Sequence, residues 1–287
     1  MSKSTQGFLV FTTQDGYDAV LAIIKDFSDE QLNGWEGALA FTSAYTAFGD
    51  PAAYGVSAQD NKNQNFEDQL FSRIVDVNGL IQIEGFVFKA AYDNNYVLEM
   101  NQSHLATHYN TFKAGTFDAT VMNKFDGSYD DELDLFVALR SGLVGSVPLT
   151  NVTTPFSIKE FKDKPSAEIL TDQAQTKWKA ECKSAYQSMP LYHSLMGEMK
   201  YSKQAGTTIW FATKTQIDLH SFSSSCWFTP RRKGKETKTV RESVFDNKQT
   251  YRPYAASRAL DGFAINLNYN YYSIMPGTRV IHTYTAK

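Results

Sequence analysis

Two cysteines in 287 residues are too few for a disulfide-built scaffold, so the fold has to come from a hydrophobic core. They are Cys182 and Cys226, and the expectation is two free thiols rather than a bridge. Long apolar runs are also missing. None approaches the roughly 20 residues that cross a bilayer as a helix. Residues 1–6, MSKSTQ, lack the apolar core of an export signal. Charge of one sign is missing too. Twenty-eight Lys and Arg stand against 31 Asp and Glu, a net of −3, which excludes a general attraction to nucleic acid or an anionic membrane surface. The chain holds no Gly-x-Ser-x-Gly nucleophile elbow, no internal repeat and no low-complexity tract.

Aromatics are plentiful, at 14% with 16 Tyr and 20 Phe, and they favour the pleated, half-buried surface of a sheet. The stretch from Asn78 to Met100 organises the chain. Leu80–Ile83, Phe86–Tyr92 and Tyr96–Met100 read as three strands. They are joined at Glu84-Gly85, where glycine is expected to take the positive φ, and at Asp93–Asn95.

Helical sequence precedes this meander. Gly7–Phe11 reads as a short buried strand. Thr13 then caps a helix with Tyr17, Val20, Leu21, Ile24 and Phe27 on one face. Ser28 and Gln31 form a capping box for a second helix. That helix is expected to show Leu32, Trp35, Leu39 and Tyr45 to the core and to end near Pro51. Residues 55–65 read as a loop, and 66–75 as a further short helix. Asp130 to Leu143 has helical spacing.

Pro148, Pro155 and Pro165 punctuate an irregular connection, read as the boundary between residues 1–165 and 166–287. From Trp178 the pattern turns to period two. Leu191, His193, Leu195, Met199 and Tyr201 share one face. Ile209, Phe211, Ile217 and Leu219 share another, and Leu267, Tyr269 and Tyr271 repeat the device. The expected fold class is α+β: N-terminal helices packed on a β-meander, then an all-β, sandwich-like domain.

Five groups of residues carry candidate chemistry. His104 and His108, at i and i+4, face one metal if helical, but the zinc-protease glutamate is absent, and surface histidines in a loop are expected. Asp126 to Asp134 offers oxygen ligands without EF-hand spacing, and acidic residues at a helix start explain it without an ion. Arg231, Arg232, Lys233, Lys235, Lys238 and Arg241 form a basic run. Only Trp227 and Phe228 stand near it, so a solvated hairpin tip is expected. His193 reads as a core histidine. Tyr269, Tyr271 and Tyr272, with Trp227, are the ligand-binding candidates, set against ordinary cross-strand packing. No metal and no cofactor are expected.

Two stretches carry a resemblance. The first has Asp29, Glu30 and Trp35, then Asn78-Gly79-Leu80-Ile81-Gln82-Ile83 and Phe86-Val87-Phe88-Lys89. The second has Leu191-Tyr192-His193-Ser194 and, further on, Trp210. Together they resemble a group of uncharacterised secreted proteins and lipoproteins from Bacteroidetes, over about half of the chain. The resemblance implies export and residence at the cell surface, with the cytoplasm as the alternative. It brings no activity and no functional residues. The expected function is non-enzymatic: binding of a partner protein or glycan at the cell surface or outside the cell. The alternatives are a secreted hydrolase acting on polysaccharide or peptide, and a structural subunit of a larger extracellular assembly. Homo-oligomerisation is left open, and nucleic acid is not an expected partner.

Overall fold

A computed structural model describes residues 1–56, 68–91, 96–125, 135–141, 158–159, 166–171, 177–205, 209–213, 215–227, 242–258, 260, 262–272 and 279–286. The chain divides into two compact units. The first holds Met1–Ile158, Gln187–Ser194 and Ala255–Ala259; the second holds Lys159–Tyr186, Leu195–Tyr254 and Leu260–Lys287. The first unit thus gathers two short segments from beyond residue 165, the tip of a long hairpin and the end of a later strand.

In the first unit, strands β1 (Ser2–Lys3), β2 (Leu9–Phe11), β3 (Leu80–Ile83), β4 (Phe86–Ala91), β5 (Tyr96–Asn101) and β6 (Met122–Phe125) form one sheet in chain order. β2 and β3 are parallel, with Val10 opposite Gln82; the other neighbours are antiparallel. The meander β3–β4–β5 is central, as its sequence indicates. Its first turn places the positive φ at Glu84 (57°) and not at Gly85, so the expected role of the glycine is wrong.

Helices α1 (Gln14–Ile24), α2 (Asp29–Ala38), α3 (Ala44–Gly49), α4 (Pro51–Tyr54) and α5 (Leu70–Ile74) make the crossover from β2 to β3, α6 (Leu105–Ala114) joins β5 to β6, and α7 (Leu135–Ser141) follows. The caps are those written in the sequence. The Thr13 hydroxyl accepts from the Gly16 amide at 3.0 Å. At α2 both bonds of the Ser28/Gln31 capping box are made. The second helix is shorter than expected, however. Ala40 takes a positive φ of 47° and Ser43 caps a new helix by accepting from the Thr46 amide, so Tyr45 belongs to α3. The buried face of α2 is Leu32 and Glu36; Trp35 is only half-buried.

Strict alternation along the strands explains why both faces of this sheet are dry. Ile81, Ile83, Phe88, Ala90, Val97 and Phe125 point into one core with Tyr17, Leu21, Ile24, Phe71, Ile74 and the α7 residues Leu135, Phe136 and Leu139. Leu80, Val87, Leu98, Met100 and Met122 point the other way, against Phe8 and the α6 residues Leu105 and Phe112. Each fully buried side chain of this size contributes roughly 1.5–3 kcal/mol.

Polar groups lock the later segments into the first core. The Tyr17 hydroxyl donates to the Leu191 carbonyl at 3.1 Å. The Tyr192 hydroxyl donates to buried Asp68 at 2.8 Å, and Gln187 accepts from the Asp68 amide at 3.0 Å. Asp18 accepts from both the amide and the hydroxyl of Ser257, at 2.7 and 2.9 Å.

The remaining strands are β7 (Ile158–Lys159), β8 (Ser166–Thr171), β9 (Lys177–Met189), β10 (Tyr192–Ala205), β11 (Ile209–Ala212), β12 (Thr215–Trp227), β13 (Glu242–Asp246), β14 (Lys248–Ala256), β15 (Gly262–Tyr272) and β16 (Arg279–Ala286). One sheet runs β11-β10-β9-β7, with β14 also on β10 and β8 also on β9; a four-stranded sheet runs β13-β12-β15-β16. Helices and sheets together make the protein α+β. From β8 onward every described regular element is a strand.

Candidate functional site

The β10–β11 hairpin meets solvent with apolar side chains. β10 is buried on both faces from Tyr192 to Met199, and polar residues return at Lys200, Ser202 and Gln204. Its register with β11 pairs Ser202 with Ala212, Lys203 with Phe211, Gln204 with Trp210 and Ala205 with Ile209. Alternation therefore puts Ile209 and Phe211 on the face that carries Tyr201 and Lys203. On that face the rings of Trp178 and Tyr201 stack at 6.0 Å with 14° between planes, and the Lys203 ammonium sits 4.8 Å from the Trp178 ring centre. On the opposite face Lys179 lies 5.0 Å from the Trp210 ring centre and pairs with Glu181 at 2.9 Å. Each cation–ring contact contributes about 0.5–1 kcal/mol and fixes the ring it covers.

Ile209 is 60% exposed and Phe211 is 52% exposed. The alternation groups both on one face with Ile217 and Leu219, but those two lie on β12, in the other sheet. β11 is the terminal strand of its sheet among the described residues, so nothing described covers that continuation of the face. Phe245 on β13, itself a terminal strand, is 68% exposed. A terminal strand with unpaired amides and carbonyls and with apolar side chains in water is a template for a further strand.

The four ligand-binding candidates do not come together. Tyr269, Tyr271 and Tyr272 lie opposite Leu219, Ile217 and Gln216 of β12, whereas Trp227 lies opposite Gly262. At about 3.3 Å per residue, that places Trp227 more than about 20 Å along the sheet from the tyrosines. Positions 269 and 271 share a face and 272 falls on the other. β12 carries a bulge between Leu219 and Ser221, leaving His220 as the extra residue.

His104 ends a 3-10 turn, Gln102–His104, and His108 lies one turn on in α6. The segment is helical, against the loop expected. Asn101 accepts from the Ser103 amide at its start, and Gly115 closes it at φ 76°. The two rings are 6.4 Å apart, and His108 Nδ1 lies 3.9 Å from Asp118. The Asp118 carboxylate is held below its ordinary pKa by hydrogen bonds from the Thr120 hydroxyl and amide. No group of three metal-ligating side chains occurs among the described residues. His193 is buried, and burial drives its pKa down to about 3, so its imidazole is neutral throughout the physiological range. Cys182 pairs in register with Ser166 and Cys226 with Phe263, in different sheets. The acidic segment Asp126 to Asp134 and the basic run from Arg231 to Arg241 lie outside the described residues.

No described helix is long and apolar enough to cross a membrane. No protein-family model matches the chain, and no curated protein does. Among solved structures it is similar to a DUF4848 family protein from Bacteroides thetaiotaomicron, at 11% identity over 99% of each chain with a TM-score of 0.19.

Proposed function

We propose that this chain is an exported, non-enzymatic binding protein that takes up a protein partner by strand addition at β11. The observation that carries the reading is the pair Ile209 and Phe211, 60% and 52% exposed on a terminal strand. An incoming strand would satisfy the open backbone edge, and its alternate side chains would cover Ile209 and Phe211. Burying two such side chains favours association by roughly 3–6 kcal/mol before the costs of docking are subtracted. Pairing with β10 over Ser202–Ala205 and the Thr213 amide bond to the Tyr201 carbonyl hold the edge in place, so little order has to be gained on binding. Surface residence accords with the Bacteroidetes resemblance carried by the Asn78–Lys89 meander and the Leu191–Ser194 hairpin tip.

Replacing Ile209 and Phe211 together by lysine tests the reading, because charges on an edge strand block pairing without touching a core. The assembly isolated from producing cells is expected to exceed the mass of one chain in light scattering. The double variant is expected to run as a single chain with an unchanged melting temperature. A wild-type protein that is always a lone chain, or a variant that keeps its partner, contradicts the proposal.

A further inference from the structure

Glu99 is 2% exposed, in the middle of the first unit's sheet. The register sets it opposite Phe88 on β4 and opposite Asn123 on β6. It therefore shares the face of Phe88, Val97 and Phe125, on which α7 packs together with α1 and α5: Phe136 meets Phe88 edge-on at 5.8 Å, with Leu135 and Leu139 in the same core. The Asn123 side-chain amide donates to Glu99 Oε2 at 2.7 Å. The described groups on that face are Phe86, Phe88 and Ala90 of β4, Asn123 and Phe125 of β6, Leu135, Phe136 and Leu139 of α7, and, in the same core, Tyr17, Leu21 and Ile24 of α1 and Phe71 and Ile74 of α5; the titratable one, Tyr17, has its pKa pushed well up by burial and is neutral, so none is charged. The nearest strand cations, Lys89 and Lys124, lie opposite Leu98 on the other face. The one cation of α7, Arg140, is half exposed and engaged with Glu84 at 2.9 Å and Gln14 at 3.3 Å.

We propose that Glu99 is a proton-linked latch for α7. Protonated, the carboxylic acid rests beneath Phe136 with the Asn123 amide as its partner. Ionised, it demands hydration that the Phe88–Phe136 contact excludes, and the helix is released from the sheet. Arg140 acts as the hinge side of the device, because its bonds to Glu84 and Gln14 do not depend on Glu99.

Burial pushes the Glu99 pKa up from 4.5 to about 7, opposed by the Asn123 hydrogen bond. With α7 lifted the carboxyl meets water and returns towards its ordinary value. Between the two values the released state holds fewer protons, so release becomes easier as pH rises, and it levels off above the higher one.

Amide exchange across residues 135–141, corrected for the intrinsic pH dependence of exchange, reads this directly. Opening of α7 is expected to increase about twentyfold from about pH 5.5 to about pH 7.5 in the wild type, and to be flat in Glu99→Gln. A flat profile in the wild type, or the same rise in the variant, overturns the proposal. Should Glu99→Gln fail to fold, the carboxyl carbon of Glu99 is titrated by NMR in the wild-type protein. A midpoint near 7 that coincides with α7 opening supports the latch, and a midpoint near 4.5 overturns it.

Discussion

Arg73 of α5 and Glu36 of α2 meet at 2.9 Å, with side chains 3% and 4% exposed. The pair is fully dressed. Asn33 accepts from Arg73 at 2.7 Å, the Arg73 guanidinium lies 3.6 Å over the Tyr45 ring, and the second oxygen of Glu36 accepts from the Ser43 and Thr46 hydroxyls at 2.9 and 2.7 Å. These bonds join α2, α3 and α5 into one crossover. Breaking a buried pair leaves the survivor charged and unpaired, so Arg73→Met is expected to cost about 3–5 kcal/mol in urea unfolding. Arg73→Met combined with Glu36→Met is expected to lose less than the single change. Equal losses would show that the pair carries no coupling.

Phe88 is the second test of the first core. It is wholly buried, and its ring meets Phe136 edge-on at 5.8 Å. Phe88→Ala is expected to cost about 3–5 kcal/mol. A loss under about 1 kcal/mol would mean that the meander register is wrong.

These two sites also mark what was legible in the chain. The caps at Thr13 and Ser28 and the alternation of Leu80–Ile83 and Phe86–Lys89 are local signals, and the structure follows them. Glu36 and Arg73 are 37 positions apart, and two charged residues on a helix read as a solvated face until their partners are known. α6 is not legible because Thr, His, Tyr and Asn in its interior favour helix only weakly, while its stabilising burial of Leu105 and Phe112 comes from packing on the sheet. Ile209 and Phe211 show the same limit from the other side. Their alternation is that of a buried strand, and whether anything covers them is decided by β11 being terminal. The tyrosines of β15 and Trp227 are adjacent in aromatic content but are kept apart by the β12 register.

His193 contributes to the acid limb of stability. Its pKa is about 3 in the folded protein and 6.5 in a free histidine. The depressed value makes its contribution full above 6.5, and that contribution is lost as pH falls towards 3, because the unfolded chain then takes up a proton that the folded one refuses. The wild type is expected to lose about 1.4 kcal/mol per pH unit in that window relative to His193→Gln. Parallel urea-midpoint profiles for the two proteins would show that the imidazole is not buried neutral.

His104 and His108 are one helical turn apart, with His108 3.9 Å from Asp118, yet no third ligand joins them among the described residues. Elemental analysis of protein purified without chelator is expected to find less than one zinc per chain. One tightly held zinc, lost on changing both histidines to alanine, would contradict this and favour a hydrolase.

The central claim is that β11 is a docking edge, and photo-crosslinking in the producing cells tests it most directly. A benzophenone side chain at position 211 is expected to yield a discrete protein adduct. The same group at position 23, where Ile23 is 59% exposed on α1, is expected to yield none. No adduct from position 211, or the same adducts from both positions, would contradict the account.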